Sequence, residues 1–250
     1  MAAAPVQSHP QAQHRTANKW LVAVAVMLAT VLEWIDSTIV NVALLHIRGS
    51  LSAGVDEAAW VITSYIVATA VVIPLTGWCG AYFGRKRFFI FSILLFVLGS
   101  LMAGASPNLQ LLVCCRVLQG LGGGTMVPMS QAILMKTFPP EEHARAMSVW
   151  SLGAMIGPVG GPILGGWITD NYSWRWIFYI NVPIGAIAAV MIAVFVHDPS
   201  YIRRGIKVID WLGLWLLVVG IACLQVRSIF GTSPCPEYCG ALLPALSSYR

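Results

Sequence analysis

Three charged side chains lie in segments that are otherwise apolar, and these residues could perform chemistry. Glu33 and Asp36 are three residues apart in the segment LATVLEWIDSTIV, so a helix would place them on neighbouring faces of one turn. Arg116 lies in a second apolar segment, LLVCCRVLQG. A charged residue at the centre of a membrane helix costs about 2.5 to 3.5 kcal/mol, so three of them indicate partners or water.

The depths of these residues permit an ion pair. At about 1.5 Å per residue, Asp36 and Arg116 lie at similar depths in their helices, so they can pair if the first and fourth helices are neighbours. Desolvation favours the protonated acid, whereas Arg116 or a bound cation favours the carboxylate. A proton and a cationic substrate would then exclude each other. The alternative is that these residues only hold helices together.

Composition indicates which elements position these residues. The chain is 58% hydrophobic and only 10% charged, and its mean hydropathy is +0.76, which is typical of an integral membrane protein. Apolar segments of about 17 to 25 residues are long enough to cross a bilayer as helices. A helix also satisfies its own backbone in lipid, so the predicted fold is all-α, a polytopic helical membrane protein. The seven predicted spans are 20–45, 57–80, 88–106, 109–132, 145–169, 175–197 and 209–226.

The positive charges predict the orientation of the spans. Lysine and arginine cluster in alternate connecting segments, which are expected to face the cytoplasm. The clusters are Arg15 and Lys19; Arg85, Lys86 and Arg87; Lys136 and Arg145; and Arg203, Arg204 and Lys207. We therefore expect a multi-pass protein of the cell (plasma or inner) membrane with a cytoplasmic amino terminus. The net charge of +5 is spread over these loops and does not indicate a nucleic-acid partner.

Two glycine patterns predict close backbone packing. Gly153, Gly157, Gly161 and Gly165 recur every fourth residue in the fifth span, which bares a stripe of backbone to a neighbouring helix. Pro158 and Pro162 in the same span each remove a backbone donor and predict a bend. The second pattern, GWCGAYFGRK, contains Gly77, Gly84, Arg85 and Lys86 and predicts a tight cytoplasmic turn between the second and third spans.

Several motifs together resemble the major facilitator superfamily, specifically its fourteen-span drug:proton antiporter branch of the EmrB/QacA type. IDSTIVNVAL at 35–44 is similar to the first-span signature of that branch, and RVLQGLGGG at 116–124 resembles its R-x-x-Q-G-x-G motif. GPVGG at 157–161 resembles its antiporter motif, and WRWIFYINVPIG at 174–185 resembles the start of its sixth span. The loop at 77–86 resembles G-x-L-A-D-R-x-G-R-K, although Ala81 replaces the acid.

The resemblance implies that Asp36 is the exchangeable acid and that Arg116 is its partner in proton coupling. Glu33, the other acid of the first span, is a candidate second acid. Gly153, Gly157, Pro158, Gly161 and Gly165 would shape the fifth helix, and Gly77, Gly84, Arg85 and Lys86 would form the cytoplasmic loop motif. Trp34, Tyr65 and Trp150 are candidates for the walls of a cavity.

The residues and the resemblance together predict an organisation, and the resemblance implies a function. The organisation is a disordered cytoplasmic tail (1–19), a six-helix amino-terminal transporter domain (20–197), a cytoplasmic loop (198–208), a seventh transmembrane helix (209–226) and an atypical tail (227–250). The implied function is proton-coupled export of small lipophilic or cationic compounds such as drugs. The partners would be the substrate, protons and the lipid bilayer. No cofactor and no metal site are implied.

Alternatives follow from the length and from the span count. Members of this branch are about twice as long, so we interpret the chain as a truncated or frame-altered product. It would then self-associate, for example through the glycine stripe, pair with a second half-transporter, or fail to transport. A seven-span receptor matches the span count but not the predicted orientation. A membrane enzyme would need a nucleophile or metal motif, such as H-E-x-x-H or G-x-S-x-G, which the sequence lacks, so we expect no enzyme.

Overall fold

The computed structural model describes residues 19–196 and five later residues, Gly213, Leu216, Val219, Gly220 and Cys223. The described residues form helices and short connections, without a strand, which confirms the all-α prediction. The five later residues lie in the predicted seventh span and are helical. Apart from Lys19, the predicted tail 1–19 lies outside the described residues, as do the loop 198–208 and the tail 227–250.

Six stretches of the described chain are long and apolar enough to cross a membrane. Each agrees with one of the first six predicted spans. The fourth span consists of two helices, and the sixth begins with a short helix before its main one. The helices are α1 Lys19–Ser50, α2 Val55–Phe83, α3 Arg85–Gly104, α4 Leu109–Gly123, α5 Met126–Thr137, a 3₁₀ turn Pro140–Glu142, α6 His143–Asn171, α7 Trp176–Tyr179 and α8 Asn181–Phe195.

The fourth span is interrupted between α4 and α5. The interruption follows the run Gly122-Gly123-Gly124, which has low helix propensity. Pro128 lies in the first turn of α5 and has no N–H to donate to the carbonyl of Gly124. A Cβ at Gly122 would lie 2.6 Å from the carbonyl oxygen of Ser92, so this part of the span also packs directly on the backbone of α3. We attribute the break to these glycines and to Pro128.

The turn between α2 and α3 has the conformation that the loop motif predicts. Gly84 has a φ of 89°, the left-handed region in which a side chain is strained, and it directly joins the end of α2 to the start of α3. Gly77, by contrast, has open space where a Cβ would lie, so packing does not require glycine there within the described domain. Arg85 donates a hydrogen bond to the carbonyl of Ala132 at 3.3 Å, which ties the turn to α5.

The fifth span packs along the first through its glycine stripe. Gly153, Gly157, Gly161 and Gly165 are all buried, and a Cβ at each would meet α1. α6 continues without interruption through Pro158 and Pro162, so the predicted bend does not break the helix. The idea that the stripe offers a free surface for self-association is wrong, because α1 covers it.

Two apolar clusters fill the interior of the bundle. One contains the amino-terminal half of α1 with residues such as Phe89, Phe96 and Met126. The other contains the carboxy-terminal half of α1 with residues such as Leu112, Ile177 and Phe178. Leu32 belongs to the first cluster and Ile35 to the second. Glu33 and Asp36 therefore lie where the two apolar clusters meet.

Candidate functional site

Asp36 and Arg116 form an ion pair in the interior of the bundle. The Nη1 atom of Arg116 lies 2.7 Å from Oδ2 of Asp36, and the two side chains are 1% and 0% exposed, respectively. This distance confirms the prediction that the two side chains can form an ion pair. A charge pair without access to water is stable only when further hydrogen bonds satisfy both groups.

Uncharged amides provide those further hydrogen bonds to the carboxylate. Gln119 lies one turn after Arg116 and donates to Oδ1 of Asp36 at 2.7 Å, while its own oxygen accepts from Nη1 of Arg116 at 2.8 Å. Asn181, the first residue of α8, donates to the same Oδ1 at 2.6 Å. The two oxygens of Asp36 thus accept three hydrogen bonds, which come from the fourth and sixth spans.

The network continues from Asn181 into the third span. Asn181 lies 3.0 Å from the hydroxyl of Ser100, which donates to the carbonyl of Phe178 at 2.8 Å. Asn181 and Ser100 are both fully buried. Four of the six described spans therefore contribute side chains to one polar network around Asp36. Any movement that separates α1 from these helices must break several of its hydrogen bonds together.

The second span holds Arg116 from the other side. The Nε atom of Arg116 donates to the carbonyl of Val61 at 3.2 Å, and its guanidinium carbon lies 4.1 Å from the ring centroid of Tyr65, a cation–π distance. A Cβ at Gly120 would lie 2.6 Å from the carbonyl of Tyr65, so this glycine allows α2 and α4 to approach closely. The glycine of the R-x-x-Q-G motif thus helps to place the arginine.

Glu33 is near this network but is not part of its hydrogen bonds. Its side chain is 7% exposed, and its Oε2 atom has no hydrogen-bond partner among residues 19–196. The structure therefore brings Asp36 and Arg116 together and places Glu33, the third predicted charge, one turn away with an unsatisfied oxygen. Glu33 is the least satisfied carboxyl in the interior of the described domain.

The three aromatic residues predicted to line a cavity have different environments. Tyr65 packs on Arg116 and is 3% exposed. Trp150 is buried, and its Nε1 donates to the hydroxyl of Thr30 at 3.3 Å. These two residues belong to the interior of the bundle, and their role as cavity walls stays a prediction. Trp34 is partly exposed on α1, and its role as a cavity wall stays a prediction.

Sequence reasoning assigned no role to several residues that complete the site. Gln119 and Asn181 lie in the recognised motifs, and Ser100 does not. Their common signal is an amide or hydroxyl side chain inside an apolar span, where such groups normally need a hydrogen-bond partner. A similar buried cluster joins the hydroxyls of Thr30 and Ser130, which are 2.9 Å apart.

The sequence pattern of the Major Facilitator Superfamily matches residues 26–233 of the chain. The chain belongs to the major facilitator superfamily. Curated relatives confirm the resemblance to EmrB-type drug exporters. The multidrug export protein EmrB of Haemophilus influenzae is 44% identical over 206 residues, which are 82% of this chain and 40% of that protein. The probable multidrug resistance protein EmrY of Escherichia coli is 44% identical over 207 residues, 83% of this chain and 40% of that protein.

A solved structure confirms the fold of this superfamily member. The xylose transporter XylE from E. coli, in an inward open conformation, superposes with a TM-score of 0.66 at 14% sequence identity. The match covers 92% of this chain and 56% of that one. At this identity the likeness concerns the fold alone. The chain spans about 40% of the length of the two curated relatives named above.

Proposed function

We propose that this chain is the proton-coupling domain of an exporter of small lipophilic or cationic compounds such as drugs. The observation that carries the proposal is the buried pair of Asp36 and Arg116, held by amides from two spans. The printed names of the relatives, a multidrug export protein and a probable multidrug resistance protein, support drugs as the exported compounds. The receptor alternative is not favoured by membership of this superfamily, and the proposed activity is transport and not catalysis.

The proposed mechanism is a competition for the carboxylate of Asp36. In the conformation described here, Arg116 neutralises Asp36 in place of a proton or a cationic substrate. When the spans move apart, Asp36 loses its hydrogen bonds and must be neutralised by one of those two ligands instead. A proton that crosses a potential of 100 mV provides about 2.3 kcal/mol, enough to bias the cycle if each turn requires one such exchange.

The loop and glycine residues would support this cycle without binding ligands. Gly153, Gly157, Gly161 and Gly165 keep α6 in contact with α1, which carries Asp36. The cytoplasmic loop motif with Gly84, Arg85 and Lys86 would hold the inner ends of the second and third spans. The chain would complete a transport pathway either by self-association or by pairing with a second half-transporter. Its amino terminus would lie in the cytoplasm.

Replacing Asp36 by asparagine is expected to abolish export driven by a proton gradient. The experiment uses lipid vesicles that carry this chain, a fluorescent lipophilic cation as substrate and an imposed pH gradient. Asparagine keeps the size and shape of the side chain, but it replaces one acceptor oxygen by a donor and cannot bind a proton in place of a cation. We expect efflux from wild type and none above background from Asp36→Asn.

The matched control is Asp56→Asn, because Asp56 is exposed in the first turn of α2. This variant is expected to export at the wild-type rate. Equal efflux from wild type and Asp36→Asn would remove Asp36 from the mechanism. Absence of efflux from wild type would contradict transport by this chain alone.

A further inference from the structure

We propose that Glu33 forms a second proton-exchange site, separate from the Asp36 network, with the hydroxyl of Tyr65 as its polar neighbour. Glu33 would bind a proton in the conformation described here, while Asp36 is paired with Arg116. The inference rests on the proposed proton-coupled export and assigns a division of roles between the two acids of α1.

The first argument is that the hydrogen bonds of Asp36 are already complete. Its Oδ1 accepts from Gln119 and Asn181, and its Oδ2 accepts from Arg116. A proton could bind to Asp36 only after this network opens. Glu33 has a free Oε2 atom, so it can gain or lose a proton without breaking any of these bonds.

The second argument is that Arg116, the buried cation near these two acids, is already paired with Asp36. Arg116 directs its Nη1 to Asp36 and Gln119 and its Nε to the carbonyl of Val61. No ion pair to Glu33 occurs within residues 19–196. A buried carboxylate without a counter-charge is costly, so Glu33 is best accommodated there with a proton bound.

The third argument is an independent polar group beside Glu33. The side chain of Tyr65 is 3% exposed and packs on Arg116, which is paired with Asp36 one turn from Glu33. Its hydroxyl, like Oε2 of Glu33, has no hydrogen-bond partner within residues 19–196. Two unsatisfied polar groups thus lie in the interior around the ion pair.

The other surroundings of Glu33 contain few ionisable groups. On its own helix the neighbouring acid is Asp36. The second span contributes Tyr65 to this interior, and the fourth contributes Arg116, which is held by Asp36. The fifth span presents the glycine stripe to α1, and the sixth contributes the uncharged Asn181. Protonation of Glu33 would therefore transfer one proton from water to Oε2, and its release would return that proton to water.

Infrared difference spectroscopy tests this inference without requiring transport. The purified chain in lipid nanodiscs is titrated with acid and base, and the carbonyl stretch of neutral carboxyl groups is recorded. In wild type we expect a titrating band of a buried carboxyl that is lost in Glu33→Gln and retained in Asp36→Asn. Tyr65→Phe should keep the band but shift its frequency, because a neighbouring hydroxyl is removed.

Two further variants keep the result interpretable. Glu141→Gln removes an exposed acid and is expected to leave the buried band unchanged. Glu33→Asp keeps a carboxyl at this position and should retain a titrating band at a shifted frequency. A band that persists in Glu33→Gln and disappears in Asp36→Asn would overturn the inference, as would a wild type without such a band. Loss of export alone would instead contradict the proposed function, because the spectrum does not depend on transport.

Discussion

Replacing Arg116 by alanine is expected to lower the free energy of unfolding by about 3 to 5 kcal/mol, because it leaves the buried carboxylate of Asp36 without its cation. The substitution also removes the hydrogen bond to the carbonyl of Val61 and the contact with the ring of Tyr65. The measurement is unfolding of the detergent-solubilised chain by a denaturing detergent, followed by circular dichroism. Arg87→Ala is the matched control, since Arg87 is an exposed arginine at the start of α3.

A double substitution separates the ion pair from general damage to the site. In the variant with both Asp36→Asn and Arg116→Ala, no uncompensated charge is left in the interior. We therefore expect this variant to be less destabilised than the sum of the two single substitutions, because residues in contact couple. The site as described would be contradicted if the losses in unfolding free energy of the two single substitutions simply added in the double variant. It would also be contradicted if Arg116→Ala lost no more unfolding free energy than Arg87→Ala.

Replacing Gly157 by leucine is expected to separate the first and fifth spans and to lower stability by about 1 to 3 kcal/mol or more. A Cβ at this position would lie 3.0 Å from the backbone carbon of Trp34 and 3.1 Å from the nitrogen of Ile35. These backbone atoms cannot rotate away as the end of a flexible side chain can. Loss of the contact between α6 and α1 should also weaken proton-driven export, because α1 carries Asp36.

Gly160→Leu provides the control on the same helix. Gly160 lies three residues further along α6, and no atom lies within 4 Å of the position that its Cβ would take. We expect this substitution to cause no loss of stability, because no atom occupies the position of the new side chain and leucine favours a helix more than glycine does. Both variants are measured in the same detergent-unfolding assay. Equal losses for the two variants would show that the stripe is not the packing surface.

The charged part of the site could be predicted because its signal is local. Charged residues in apolar segments are few, and counting residues along a helix gives their depth. The matching depth of Asp36 and Arg116 is therefore predictable, whereas their pairing also requires that the first and fourth helices are neighbours. The turn at Gly84 is predictable for the same reason, since a glycine that separates two apolar spans and precedes two basic residues is typical of a tight turn at the cytoplasmic face.

The remaining part of the site depends on how the helices are rotated about their axes. Gln119, Asn181 and Ser100 look like ordinary polar residues until the fold directs them towards Asp36. In the same way, the spacing of the glycines in α6 indicates a close neighbour but does not identify α1 as that neighbour. Glu33 shows the limit most clearly, because its lack of a partner follows from Arg116 being held by Asp36.

The central claim is that Asp36 couples the movement of protons to the movement of the exported compound. The most direct measurement counts protons in vesicles that contain this chain and a trapped pH indicator, with a gradient of the lipophilic cation and no imposed pH gradient. In wild type, the cation moving down its gradient is expected to drive protons in the opposite direction. In Asp36→Asn that proton movement should be absent. The same number of protons moved per cation in both proteins would contradict the account.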